Sequence, residues 1–539
     1  MARTRTTRKR GPGLLASALR MMGVSHAGAS TETRDLAGWT PQRLSADADI
    51  LPDQAKLVAR ARDLDRNSGV AKGGIQTIVD NVVGTGLRLS ARPRYRLLGK
   101  SKEWAIEWGR NTEEQFASWY WSTSCHAGDT LTGDQITAQV FRGSLMNGEA
   151  LGLPLWIPGR DAWSTKIQTI ESDRLGQPPL VQASATERGG IRFDSNGMPL
   201  GYWIRKRHPG DINVDGMSGA GLDEWEFIPR RFPHGRLRVL HVFDSERSGQ
   251  SRGIPLLTSV LPHFKQADRY TKAELDAAVA NALIAAVIET PLDPEEVTAM
   301  LQDPKSEYLE SRREHGTVRL ESGLIASLFP GDKLTSFLPA RPATAFDAFV
   351  TSVFRQIGIG LGLPLELLMK DFSKTNYSSA RASLIEAWRS FNRRRDWLIT
   401  TWMDPIYCLW LEEAISTGRV EAPDYYENRW AYEGCRWIGP GRGWVDPVKE
   451  AEAAQIRIDG GLSTYEDECA EQGKDWRDVF EQQAYELGER KRLGLPDHSA
   501  IRAANPIQPA RDEDPEADSA DETTNKPAKP SNGGAAATA

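Results

Sequence analysis

The chain has only four cysteines in 539 residues, Cys125, Cys408, Cys435 and Cys469, and no two stand at C-x-x-C spacing. A zinc ribbon or a redox dithiol needs close pairs, so both are excluded, and four reduced thiols made in a cytosol are expected. Cys125 is followed by His126, but neighbours in sequence rarely face one metal, and no metal site is expected. There is no H-E-x-x-H, and none of the eight histidines lies three or four residues from another. No apolar run approaches the roughly 18 residues that a spanning helix requires. The most apolar stretch, 277–288, is too short and carries Asn281. Neither sign of charge dominates. With 67 basic and 73 acidic residues the net charge is −6, which rules out a uniformly basic nucleic-acid coat but not a local basic surface.

Enzyme motifs are missing as well. The one Gly-Lys-Ser, at 99–101, has Arg94 where a phosphate-cradling loop needs glycine. Gly358, Gly360 and Gly362 make G-x-G-x-G after a helical pattern, not G-x-G-x-x-G after a strand, and read as a glycine-rich helix end. The run 216–221 nearly matches the hydrolase elbow, but Ala220 stands where the second glycine is required. Acidic pairs such as Glu412-Glu413 read as solvated helix faces. No ATP motor, cofactor or catalytic constellation is expected.

What is present is a soluble multidomain organisation: at about 150 residues per domain, the length suggests about three or four domains. Arg3, Arg5, Arg8, Lys9 and Arg10 open a stretch without periodicity, read as a flexible basic arm over 1–50. Helical spacing begins at Pro52, with Gly69, Gly73 and Gly74 as the breakpoints, and a second helix is expected over about 101–121. From about 136 to 245 short strands dominate, including Val239 to Phe243. Helical periodicity returns at 262–289. A small mixed unit follows, with 316–320 and 333–338 as strand candidates. Then Phe346, Phe349, Val350, Val353, Phe354 and Ile357 fall on one continuous apolar face. A polar loop from Lys370 leads to a long helix from about 378 to 403. Arg393, Arg394 and Arg395 in it are expected to pair with nearby acids such as Asp396. A further helical region, 450–489, precedes a tail in which 512–522 holds seven acids and no base, a composition that cannot bury enough apolar surface to order itself.

The order of these segments resembles the portal proteins of tailed bacteriophages, specifically the lambda-like portal family. The likeness runs from about 45 to 495. It is carried by Ala61-Arg62-Asp63-Leu64, Asn81-Val82-Val83-Gly84-Thr85-Gly86, Ile170-Glu171-Ser172-Asp173-Arg174-Leu175, His208-Pro209-Gly210-Asp211 and Arg252-Gly253-Ile254-Pro255. The most specific stretch is Gly362-Leu363-Pro364 through Asp371-Phe372-Ser373-Lys374-Thr375-Asn376-Tyr377-Ser378-Ser379-Ala380-Arg381-Ala382, followed by Trp437-Ile438-Gly439-Pro440-Gly441-Arg442 and Gly461-Leu462-Ser463-Thr464-Tyr465.

The resemblance implies a mixed α+β portal fold with wing, stem, clip and crown regions. Long stem helices would assemble into a homo-oligomeric ring of about twelve subunits with a central channel. It implies a virion protein at the unique capsid vertex, assembled in the host cytoplasm, through which double-stranded DNA is packaged and ejected without sequence specificity. Expected partners are the terminase large subunit, the head-tail connector protein and the major capsid and scaffolding proteins, with no membrane and no cofactor. Carried over by position, 51–261 is the wing, 262–290 a stem helix, 291–342 the clip and 343–369 the second stem helix and bend. Residues 370–381 are the channel loop, 382–404 a helix returning to the wing, 405–495 the crown and 496–539 the acidic tail. Lys370, Lys374, Asn376, Tyr377 and Arg381 become DNA-channel candidates. Phe346, Phe349, Val350, Val353 and Phe354 become subunit-packing candidates. The alternatives are another phage structural protein, shell or scaffold, or a nucleic-acid-processing enzyme.

Overall fold

The computed structural model describes residues 27–29, 34–211, 224–283, 287–289, 333–335, 346–443 and 446–496. Expectations that fall elsewhere, among them the basic arm to residue 26, the strand candidate 316–320 and the acidic tail, lie outside the described residues.

Local chemistry sets the element ends. Ser68 caps the helix Gly69–Val82 by accepting the Ala71 N–H, and Ser101 caps Lys102–Tyr120 by accepting that of Trp104. Thr132 and Gln135 form a reciprocal capping box at the start of Gly133–Asn147. The break in the first helical stretch falls at Ser68, between Gln54–Asn67 and Gly69–Val82. Gly73 and Gly74 are therefore interior to the second helix, because a capping hydroxyl ends a helix more decisively than glycine interrupts one. The expected arm also stops early: Ala46–Ile50 is a helix with Asp47 buried, whose carboxylate accepts the Ser251 N–H and faces Arg188.

The larger core gathers the helices 54–67, 69–82, 102–120 and 133–147 around the carboxyl-terminal half of the chain. Its centre is aromatic. Phe116 stacks on Tyr120 at 5.0 Å between ring centroids and meets the edges of Trp410 at 5.2 Å and Trp437 at 5.8 Å. Burying one such side chain contributes about 1.5–3 kcal/mol. Strand β1 (Arg88–Ala91) pairs antiparallel with a strand contributed from far along the chain, Cys435–Ile438, with Leu89 opposite Trp437. Hence the division drawn at 405 does not follow the packing. The Asp404–Ser416 helix and Cys435–Ile438 belong to this core, and only the helices Pro447–Asp459, Tyr465–Glu471 and Trp476–Arg492 stand outside it, with no buried residue among them.

A smaller core lies under two sheets. In one, β2 (Glu149–Trp156) runs between β3 (Thr165–Ile170) and β8 (Leu240–Phe243). In the other, β4 (Glu187–Arg188), β5 (Ile191–Phe193), β6 (Pro199–Arg205) and β7 (Trp225–Pro229) follow in order. Leu151, Ile170, Tyr202, Ile204 and Ile228 fill the space they enclose.

The long helix expected from 378 runs Tyr377–Leu398, passes through a π-helical turn at Ile399–Met403, and continues as Asp404–Ser416. Trp402 in that turn is buried and donates its indole N–H to Thr137 Oγ1 at 3.1 Å. The helix expected over 262–289 runs Leu261–Leu283. Val287–Glu289 is instead a strand, β9, paired with β10 (Lys333–Thr335), where the β-branched Val287 and Ile288 favour an extended ladder.

Candidate nucleic-acid interface

The apolar face read from 346 onward divides in two along its length. In the Phe346–Leu361 helix, Val353 and Ile357 are buried in the subunit's own core and Phe354 packs against it. Phe346 and Phe349, one turn earlier, meet the Leu261–Leu283 helix. Tyr270 stacks on Phe346 at 5.6 Å and lies 4.6 Å from the Phe349 ring. Phe349 is still 46% exposed and Val350 is half-buried, so the outer end of the face is left for another surface. Periodicity identified the stripe but could not show that its inner half is consumed within one chain.

Gly362, at φ +72°, ends that helix, and the short helix Leu365–Met369 follows. Lys370 closes the short helix in the left-handed conformation, φ +55°. The loop then turns tightly: Asp371 Oδ1 accepts the Ser373 N–H at 2.9 Å, and Asn376 Oδ1 caps the next helix by accepting the Ser379 N–H at 2.8 Å. Asn376 therefore starts a helix, and Tyr377 and Arg381 stand on that helix, not in the loop.

Lys370, Lys374 and Arg381 are all exposed. Lys374 is not free: its Nζ donates to Asp347 Oδ2 at 2.9 Å, tying the loop to the start of the Phe346–Leu361 helix, and this hydrogen bond raises the lysine's pKa. Hydrogen bonding from Ser373 holds the Asp371 carboxyl below its usual range. Lys370 and Arg381 form no ion pair among the described residues. The loop thus presents one open cation, Lys370, and one held by an acid, Lys374, with acids at 347 and 371 near them, and Arg381 stands open on the helix that follows. Asp347 was the partner that sequence reasoning missed, because 27 residues separate it from Lys374.

The arginine triplet does something other than pair with Asp396. Arg393 approaches Asp244 at 3.6 Å. Arg394 donates to Leu361 O at 3.0 Å, and Arg395 to Asn81 O at 2.7 Å and Val82 O at 3.0 Å. Those are the carbonyls that two helices leave unpaired at their carboxyl ends, where cations are also favoured by the helix dipole. Burial lowers the pKa of both, that of Arg394 to about 10. Arg394 and Arg395 fasten the long helix, while Arg393 stays largely exposed beside Asp244.

Several of the motifs quoted above meet at one buried node beneath this region. Glu149, directly after Gly148, takes the Arg252 guanidinium on both oxygens, 2.8 and 2.9 Å to Nε, and lies 3.0 Å from His241 Nε2. Burial alone would raise this carboxyl; the Arg252 charge and the hydrogen bonds from His241 and Arg252 outweigh it and hold the pKa near about 2. Arg252 also donates to the carbonyls of Leu175, Gly189 and Ser172. Here glycine is required by contact: a Cβ at Gly253 would stand 1.9 Å from Gly148 O, and one at Gly148, whose φ is +85°, would stand 2.4 Å from the Ile254 backbone. Nearby, Arg62 grips Asp173 and donates to Asn147 Oδ1 at 2.8 Å, while His208 lies 2.9 Å from Glu171. Glu171, Asp173 and His208 could together offer three ligand atoms to a cation. Asp173, however, is already paired with Arg62.

Residues 32–395 match the family model described as phage portal protein, lambda family. Portal protein B of Escherichia phage lambda is 32% identical over 510 residues, covering 90% of this chain and 93% of that protein. The portal protein of Escherichia phage N15 is 31% identical, covering 89% and 92%. A probable portal protein of Halomonas phage phiHAP-1 is 26% identical, covering 86% of each chain. Among solved structures, a chain from the neck of an empty GTA particle, computed with C6 symmetry, is 14% identical with a TM-score of 0.43, covering 87% of this chain and 100% of that one. An HK97-family phage portal protein from Corynebacterium diphtheriae is 15% identical with a TM-score of 0.27, covering 76% and 99%.

Proposed function

The chain belongs to the lambda family of phage portal proteins and has their portal function, and from that premise we propose how this molecule performs it. Subunits close into a ring of about twelve at the capsid vertex, with the helices 261–283 and 346–361 beside the central channel and the loop 370–376 facing it. The observation that carries the reading is likeness along nine-tenths of the chain to a protein named portal protein B. The loop supports it, because it is exposed, polar and held at both ends.

In a ring each cation repeats around the axis, so Lys370 and Lys374 of the loop and Arg381 of the helix after it form belts of positive charge. Screening of phosphates by such belts needs no base contact and commits DNA to no single register, which suits a strand that must slide. The Asp347–Lys374 pair tempers one belt, favouring weak and repeated contact over tight binding. The half-exposed Phe349 and Val350 suit the contact between neighbouring subunits. Terminase and the head-tail connector would dock at the clip, and hydrolysis would come from terminase, since the sequence offers no nucleotide-binding loop of its own.

Light scattering with negative-stain imaging of the purified protein tests this. A 59.7 kDa chain in a ring of about twelve gives a particle of roughly 700 kDa with a central hole. A stable monomer that cuts DNA or hydrolyses ATP would overturn it.

A further inference from the structure

The basic strip along β1 is half covered and half open. On the covered side, Arg88 faces Asp478 at 3.7 Å, Arg92 pairs with Glu466, and Arg110 lies 2.5 Å from Glu481, so acids of the last two outer helices, Tyr465–Glu471 and Trp476–Arg492, sit on it. On the open side the chain continues as Arg94-Tyr95-Arg96 and turns through Lys100 into the Lys102–Tyr120 helix. The Arg94 N–H donates to Ala431 O at 2.7 Å, which holds the turn in place.

Three cations there rest on rings. Arg94 lies 4.8 Å from the Trp430 centroid, Arg96 5.8 Å from Tyr95, and Lys100 5.7 Å from Trp104. All three are exposed, none forms an ion pair among the described residues, and Trp430 is 54% exposed. The carboxylate that feels Lys100, Asp424, is engaged by Tyr432 Oη at 2.5 Å and Asn428 Nδ2 at 2.7 Å. This is a preformed cation–aromatic face whose three cations are ion-paired with no described residue.

The terminal helix points toward it. Arg477 lies 3.8 Å from Glu113 and Glu481 2.5 Å from Arg110, so advancing along Trp476–Arg492 means moving back along Lys102–Tyr120, toward Lys100. The helix ends at Arg492 and the described chain at Pro496, and the segment 512–522, with seven carboxylates and no base, begins sixteen residues on from there. Sixteen residues span at most roughly 55 Å when extended, and linkage within one chain raises the segment's effective concentration at the face.

We propose that 512–522 docks on the Arg94, Arg96 and Lys100 face of its own subunit, completing the acidic cover that Glu466, Asp478 and Glu481 begin. The tail is favoured over DNA because it is tethered beside the face and because carboxylates of the same terminal region already occupy the adjoining half.

Carbodiimide coupling of the full chain, followed by peptide mass spectrometry, tests the proposal. Amide links are expected between Lys100 or Lys102 and acids of 512–522. They should fall to background in about 1 M salt, where the screening length is about 3 Å, and in Arg94→Ser with Arg96→Ser, which keeps both lysines. Mixing isotope-labelled and unlabelled chains should give same-label links; a majority of mixed links would put a second copy's tail there and overturn the proposal. Links scattered evenly over surface lysines would also overturn it. So would absence of links together with weaker binding of a short random duplex by the arginine variant, which would make the face a DNA site. As a variant that leaves the body untouched, the chain with all seven tail acids changed to their amides should show faster hydrogen exchange over 94–100. Unchanged exchange would sink the idea.

Discussion

Arginine–carboxylate pairs join this molecule in two places, and the two differ in everything except their chemistry. At Glu149 and Arg252 both partners are buried, and around their mutual bonds Gln54, His241 and the Gly253 N–H meet the carboxylate while backbone carbonyls meet the guanidinium. Where the outer helices 447–492 meet the body, Arg92–Glu466, Arg436–Asp467 and Arg110–Glu481 are about one-third exposed or more, and the outer helices themselves bury no residue. A buried pair cannot lose one partner without stranding the other, whereas an exposed pair exchanges with water at little cost. The first setting makes two sheets and a helical core one cooperative body. The second makes a detachable part.

Breaking the buried node should have the largest effect. Glu149→Ala leaves Arg252 uncompensated and should cost about 3–5 kcal/mol in urea unfolding; a near-native midpoint would show that the node is not what unites the body.

Acid titration sharpens the same contrast. The Glu149 carboxyl is held near about 2 against an ordinary 4.5. Its contribution is therefore complete above the ordinary value and lost as pH falls toward 2, amounting to about 3 kcal/mol. Glu113, at the junction with the outer helices, moves oppositely. Burial raises it to about 7 despite the Ala91 N–H and Arg477. Its folded form prefers the proton, so stability should decline as pH rises from about 4.5 to 7 and then level. Glu113→Gln should flatten that slope between pH 4.5 and 7, and an unchanged slope would reassign it.

A smaller effect is expected from Arg92→Ala combined with Arg436→Ala. Amide protection across 447–492 should drop while the main unfolding transition moves by no more than about 1 kcal/mol. Raising salt should mimic the double variant, since exposed pairs are screened; a single transition carrying both parts down together would erase the distinction. The smallest change in stability belongs to the loop. Lys374→Ala should leave the melting midpoint and ring formation unchanged while lowering DNA packaging or retention, and Asp347→Asn, which frees Lys374, should strengthen the hold on DNA. Packaging at the unsubstituted level in both would remove the loop from contact with DNA.

Much of this was legible in the sequence, where spacing along one element decides the outcome. The helix expected over 101–121 is Lys102–Tyr120, and the strand expected at 239–243 is Leu240–Phe243. The family itself was legible in its motifs. What escaped were pairings across long separations. Nothing near Arg88–Ala91 announces that its strand partner is Cys435–Ile438, nothing near Arg395 names the carbonyl of Asn81, and Lys374 gives no sign of Asp347. Helix ends were read too late or too early where a capping side chain, Ser68 or Asn376, outweighed the glycine or polar run that drew the eye.

The unbroken axis from Tyr377 through the π-turn to Ser416 has a mechanical consequence. Its forty residues span roughly 60 Å at 1.5 Å per residue, with one end at the loop proposed to face the channel and the other among Tyr407 and Trp410. If that loop bears load, continuous helix, and not a coil linker, would connect it to the aromatic centre. The widened turn at Ile399–Met403, braced by Trp402, is the compliant joint at which that axis would bend first.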